Sequence, residues 1–163
     1  MRRTLAPLCT VSLVLLITLA AGLFLRAQGP APGSSALSIP QAQLLQPEEL
    51  VRILKVTEKE KPTLLQVGSR VMFSQVHIPG SEFAGPGSTQ SGIQSLEDTV
   101  SALPKNRRII LYCGCCPWDH CPNVGPAYKR LHELGFTNVK VLYLAHNFGD
   151  DWVSKGYPAV KGK

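Results

Sequence analysis

The length and charge of the chain limit the kinds of protein it can be. Its 163 residues give room for one compact domain and little else. The formal charge is +6, but setting aside Arg2, Arg3 and Arg26 leaves 14 of the 17 basic residues against 11 acidic ones. So small an excess, with no aromatic side chains interleaved for base stacking, excludes a nucleic-acid partner.

The first 27 residues have the order of an export segment. Two arginines precede an apolar run from Leu5 to Leu25, and a Pro-, Gly- and Ser-rich stretch follows it. The run is long enough for a signal peptide or for a membrane anchor, and cleavage after Ala27 would put Leu25 where a small residue is preferred. We therefore expect residues 1–27 to be a signal peptide or a signal anchor, with membrane attachment through residues 5–25 in the second case. Either alternative places the domain outside the cytoplasm, in the periplasm or secreted, because positive charge stays on the cytoplasmic side.

The next segments predict a linker and the first half of a domain. Residues 28–46 are small, polar and Gln-rich without a clear period, which indicates a flexible linker. The domain is predicted over 47–162, and it begins with Pro47 and two acidic residues, which favour a helix start. The short apolar run from Thr63 to Val67 predicts a buried strand. Apolar spacing then predicts a helix that Pro104 closes, and Arg108 to Tyr112 predict a second buried strand.

The rest of the chain continues this alternation. Val124, Ala127, Leu131 and Leu134 are spaced for one helix face, and Gly135 can cap that helix before the apolar segment VKVLYL, a third predicted strand. Strands that alternate with helices favour an α/β fold with a central parallel sheet and helices on both faces.

The segment LYCGCCPWDHCP holds four of the five cysteines between a predicted strand and a predicted helix. Ligands of open α/β sheets bind beyond the carboxyl ends of the strands. A helix N-terminus there offers free N–H groups and a positive dipole end, which lower the pKa of a nearby cysteine. Cys113, the first residue past the strand, is the best placed nucleophile.

The domain resembles a single rhodanese domain. The segment TLLQVGSRVMFSQVHIPGSEF is similar to the family's first signature, IILYC to the strand before the active-site loop, and GFTNVKVL with DWVSKGYPAV to the closing strand and helix. The resemblance implies a sulfurtransferase without a cofactor, in which Cys113 is the catalytic cysteine. It would accept a sulfane sulfur from thiosulfate, a persulfide or a polysulfide, and pass it from its own persulfide to a thiol or cyanide.

The active-site loop departs from the pattern of the resembled family. It is longer than usual and lacks the arginine that stabilises the transferred sulfur, and Gln66, Val67 and Gly68 replace the usual Asp-Val-Arg. The loop amides, helped by the unusual backbone angles that glycine allows, or the His120 side chain would have to hold the anionic sulfur instead. The expected substrate-binding loop consists of Gly114, Cys115, Cys116, Pro117, Trp118, Asp119, His120 and Cys121.

The cysteines that follow Cys113 leave alternatives open. Thiols outside the cytoplasm tend to oxidise, so Cys115, Cys116 and Cys121 are candidates for a disulfide that pins the loop, or for thiols that resolve a persulfide. They are also soft metal ligands, but the spacing C-x-C-C-x4-C matches no paired C-x2-C zinc framework, and no metal ligand is assigned. A thiol-disulfide redox protein, a soft-metal-binding protein and a non-catalytic binding module are the alternative functions.

Overall fold

The computed structural model describes residues 39–55 and 61–162 of the chain. In this part of the chain, five strands alternate with four helices. The strands are β1 (Leu44–Leu45), β2 (Thr63–Gln66), β3 (Ser81–Phe83), β4 (Ile109–Tyr112) and β5 (Val139–Leu142). The helices are α1 (Pro47–Ile53), α2 (Arg70–Gln75), α3 (Gln90–Val100) and α4 (Val124–Glu133).

The five strands form one parallel sheet in the order β1-β5-β4-β2-β3. Strand β4 lies at its centre, and successive side chains of a strand point to opposite faces. Ile109 and Leu111 pack in one core with residues of α3 and α4, whereas Ile110 and Tyr112 pack in a second core with α1 and Trp152. Because both faces of the sheet are covered by helices, the predicted α/β architecture is confirmed.

The start of the domain differs from the prediction. Part of the segment predicted as a linker, residues 28–46, belongs to the sheet, because Leu44 and Leu45 pair in parallel with Val141 and Leu142 of β5. Leu45 is fully buried. A strand of two residues is too short to show an alternating pattern in the sequence. Only its pairing with the edge of β5 identifies it as a strand. Residues 28–38 and the export segment over 1–27 lie outside the described residues, and both remain predictions.

The end of the domain also differs from a regular closing helix. DWVSKGYPAV contributes to a single π-helical turn, Gly149–Val153, and then to extended chain that reaches a bridge between Val160 and His77. Trp152, in the π-helical turn, is fully buried, and its Nε1 donates to the Pro158 carbonyl at 2.8 Å. Within the described residues no helix combines the length and the apolar character that crossing a membrane requires.

Candidate functional site

Cys113 lies at the carboxyl end of β4, where the sequence predicts it. Its neighbour on the β2 side is Gly68, and a Cβ at that position would lie 2.9 Å from the Cys113 Sγ. The buried Gln66 side chain donates to the Cys113 carbonyl at 3.4 Å and accepts from the Gly68 N–H at 3.2 Å. The Gln-Val-Gly segment therefore forms one wall of the site, and the glycine leaves room for the sulfur.

Three further cysteines of the loop converge on Cys113. Its thiol donates to the Cys115 Sγ at 3.0 Å, and the Cys115 Sγ lies 3.0 Å from the Cys116 Sγ. The sulfurs of Cys113, Cys115 and Cys121 all lie within 4.8 Å of one another. All four cysteines are free thiols, and their proximity provides the geometry for either redox chemistry or metal binding.

Asn123, directly before α4, is a site residue that the sequence analysis missed. Its amide Nδ2 donates to the Cys113 Sγ at 3.3 Å and to the Cys115 Sγ at 3.6 Å. Its Oδ1 accepts from the Ser88 N–H at 3.1 Å, and its side chain is buried. Asparagine before a helix is usually a cap, but this side chain makes no capping hydrogen bond. Only the tertiary structure turns it toward the sulfurs.

The backbone amides at the start of α4 face a different sulfur from the one predicted. The N–H groups of Val124 and Asn123 form hydrogen bonds to the Cys121 sulfur. The sequence analysis expected such amides to point at Cys113, which instead receives the Asn123 side-chain amide. The start of this helix therefore stabilises the rim of the cluster through Cys121.

Hydrogen bonds inside the cluster shift the pKa values of its thiols in different directions. The thiols of Cys113 and Cys121 donate to Cys115 and lower its pKa. The hydrogen bonds to Cys115 and Cys121, together with burial, raise the pKa of Cys113, and burial raises the pKa of Cys116. These hydrogen bonds thus lower the pKa of the half-buried Cys115, and the pKa of Cys113 is not lowered as the sequence predicted.

The remaining loop residues fix the loop against the end of the sheet. Gly114 has φ +75°, and a Cβ there would lie 2.6 Å from the Phe148 Cβ, so this turn requires glycine. The Trp118 N–H donates to the Ala145 carbonyl at 3.1 Å. Pro117, Asp119 and His120 are exposed.

His120 does not occupy the place of the missing arginine. Its Nδ1 lies 2.8 Å from the Asp119 Oδ1, and the His120 side chain is 76% exposed. The hydrogen-bond donor that contacts the Cys113 sulfur is instead the Asn123 amide, which supplies no charge.

A small cavity adjoins the Cys113 sulfur beneath the loop. Its accessible volume is ≈ 10 Å³, room for about one water-sized group. Its walls are formed by Cys113, Gly114, Cys116, Trp118, Cys121, Val124, Leu142 and Leu144.

Comparisons with known proteins identify the fold. No family model and no curated protein matches the chain. The crystal structure of the Alr3790 protein from Anabaena sp. is similar to it with 25% sequence identity, covering 72% of this chain and 92% of that chain with a TM-score of 0.54. The solution structure of the rhodanese-like domain of Alr3790 has 24% identity over 73% of this chain and 79% of that chain, with a TM-score of 0.53. The BH2092 protein from Bacillus halodurans has 24% identity over 72% of this chain and 75% of that chain, with a TM-score of 0.55. With its parallel sheet and a cysteine loop after the central strand, the chain has a rhodanese-like fold.

Proposed function

We propose that the domain is a sulfurtransferase outside the cytoplasm that carries a sulfane sulfur as a persulfide on Cys113. The observation that supports it most directly is the 3.0 Å contact between the Cys113 thiol and the Cys115 sulfur. Through this contact the two sulfurs can share one proton, and Cys113 is the nucleophile when that proton lies on Cys115. A buried thiol thereby becomes a nucleophile without a basic residue of another type.

The transfer follows from this proton movement. The Cys113 thiolate attacks the outer sulfur of thiosulfate or of a polysulfide, and sulfite or a shorter polysulfide leaves with the electron pair of the broken S–S bond. The Asn123 amide lies 3.3 Å from the Cys113 Sγ, where it can stabilise the negative charge of the Cys113 thiolate before the attack. A thiol or cyanide then takes the outer sulfur and leaves Cys113 as the thiolate.

Thiocyanate formation from thiosulfate and cyanide tests this function. The reduced full chain is compared with Cys113→Ser and with Cys9→Ser, the matched control at the cysteine outside the loop. We expect Cys113→Ser to lose the activity and Cys9→Ser to retain it. A Cys113→Ser chain that forms thiocyanate at the wild-type rate would refute the assignment, and mass spectrometry of the alkylated protein locates the persulfide.

Binding of a soft metal ion is a second candidate function. It is favoured by the convergence of the sulfurs of Cys113, Cys115 and Cys121 within 4.8 Å, because thiolates prefer cuprous ion and zinc. Anaerobic titration of the reduced full chain with cuprous ion would give one bound ion per chain, and Cys121→Ser would weaken that binding. Stoichiometric binding that survives Cys121→Ser unchanged would reject the three-sulfur site.

A further inference from the structure

We propose that Cys115 resolves the persulfide on Cys113, so that the domain releases the sulfane sulfur as sulfide and is left with a Cys113–Cys115 disulfide. This inference rests on the proposed function, because it starts from the Cys113 persulfide. It adds a second activity, the reduction of sulfane sulfur by a pair of protein thiols, to the transfer of sulfur to an external acceptor.

The distance between the two sulfurs is that of a reacting pair. The Cys115 Sγ lies 3.0 Å from the Cys113 Sγ, and atoms held about 3–3.5 Å apart are poised for reaction. The Cys113 Sγ becomes the inner sulfur of the persulfide, and attack on the inner sulfur produces a disulfide and expels the outer sulfur. Cys115, in contact with the Cys113 Sγ, is thus placed to resolve the persulfide.

The small cavity that Cys113 lines offers a place for the outer sulfur of the persulfide. It touches Cys113 and is large enough for about one water-sized group. Cys115 is not among the residues that line it. An outer sulfur in this cavity is therefore held by residues other than Cys115, while the Cys115 Sγ contacts the atom attacked.

The reaction balances without a further reagent until the protein is re-reduced. After loading, Cys115 releases the proton that it accepted to solvent, which regenerates its thiolate, and the outer persulfide sulfur takes a proton from solvent. That thiolate forms a bond to the Cys113 Sγ, the bond between Sγ and the outer sulfur breaks, and HS⁻ leaves with its electron pair. The sulfane sulfur is reduced to sulfide, two cysteines are oxidised to a disulfide, and a dithiol reductant must reduce that disulfide before the next turnover.

The other two cysteines of the loop belong to the same cluster. The Cys116 sulfur is 3.0 Å from Cys115 and donates to the His120 carbonyl at 3.6 Å. Cys121 receives the backbone amides at the start of α4. Cys121 is therefore tested as the rival resolving thiol, and Cys9→Ser, at the cysteine outside the loop, is the matched control.

A single-turnover experiment separates loading from resolution. The reduced full chain, freed of small thiols, is mixed anaerobically with thiosulfate, and sulfite and sulfide are measured together with peptide mapping. Sulfite reports loading of Cys113, and sulfide reports resolution. We expect the wild type and Cys9→Ser to release one sulfide for each sulfite and to end with the Cys113–Cys115 disulfide. In Cys115→Ser we expect sulfite release, slowed by loss of the proton acceptor, with sulfide reduced at least about tenfold and the persulfide retained on Cys113.

The outcomes distinguish a failure of resolution by Cys115 from a failure of the proposed sulfurtransferase function. Sulfide release by Cys115→Ser at the wild-type ratio to sulfite would overturn resolution by Cys115 and leave the sulfurtransferase function standing. Loss of sulfide release in Cys121→Ser, with sulfite retained, would likewise overturn it in favour of Cys121. If neither the wild type nor Cys115→Ser forms sulfite or a persulfide, the proposed function itself is refuted. The persulfide mass in Cys115→Ser also shows that this variant is folded.

Discussion

Replacing Asn123 with alanine removes the amide that bridges the two reactive sulfurs. A hydrogen bond to a charged group contributes about 1.5–3 kcal/mol, and one pKa unit corresponds to about 1.4 kcal/mol. The Asn123 Nδ2 is 3.6 Å from the Cys115 Sγ, and the half-buried sulfur is partly screened by solvent, so the lower end of this range applies. We expect the pKa of the Cys115 thiol to rise by about 1 unit, because its thiolate loses a donor.

The rate of alkylation as a function of pH measures this change, with the modified residue identified by mass spectrometry. Asn123→Ala also loses the hydrogen bond from the Ser88 N–H, so a stability control is needed. Thr89→Ala serves that purpose, because it removes the 3.0 Å cap to the Gly92 N–H at the start of α3, at a cost of about 1 kcal/mol. If the pH midpoint of Cys115 alkylation is the same in Asn123→Ala and Thr89→Ala, Asn123 does not stabilise the Cys115 thiolate.

Three further predictions concern stability. Gly68→Ala should destabilise the domain by about 1–3 kcal/mol in denaturant unfolding, because its Cβ would lie 2.9 Å from the Cys113 Sγ; an unchanged midpoint would contradict the tight packing. Tyr112→Phe should cost about 1–3 kcal/mol in the same assay, since the hydroxyl bonds to the Ser81 Oγ at 2.7 Å and accepts from the buried Ile78 N–H at 3.3 Å. Finally, the raised pKa of Cys113 means that the native state keeps a proton that the unfolded chain loses above about pH 8.5. The contribution of this thiol to stability should be complete below that pH and decrease as the pH rises further. A melting temperature that falls equally steeply with pH in Cys113→Ser would argue against this contribution.

The local pattern of the sequence predicted the sheet and the position of the cysteine loop. The apolar runs that became β2, β4 and β5, and the spacing that became α4, are signals within short windows. Burial on both faces makes such strands apolar throughout, so the parallel sheet could be predicted together with its alternating helices. Because the strand before the loop ends at Tyr112, the position of Cys113 at the carboxyl end of the sheet followed.

The edge strand and the partners of the reactive sulfur could not be predicted in this way. Strand β1 has two residues, and its pairing depends on β5, nearly a hundred positions later in the chain. Gly68 and Asn123 come from different elements, and each meets Cys113 only because β2 and the start of α4 lie beside the end of β4. Such contacts leave no periodic signal in the sequence.

What the sequence by itself determined was therefore the α/β architecture and the place where thiol chemistry would occur. The tertiary structure decided how the thiols share their charge. The sequence pointed to a lowered pKa at Cys113, whereas the folded loop buries that sulfur and directs its hydrogen toward Cys115. The physical reason is that a pKa depends on burial and on the direction of each hydrogen bond, and both are set only when the loop packs against the sheet.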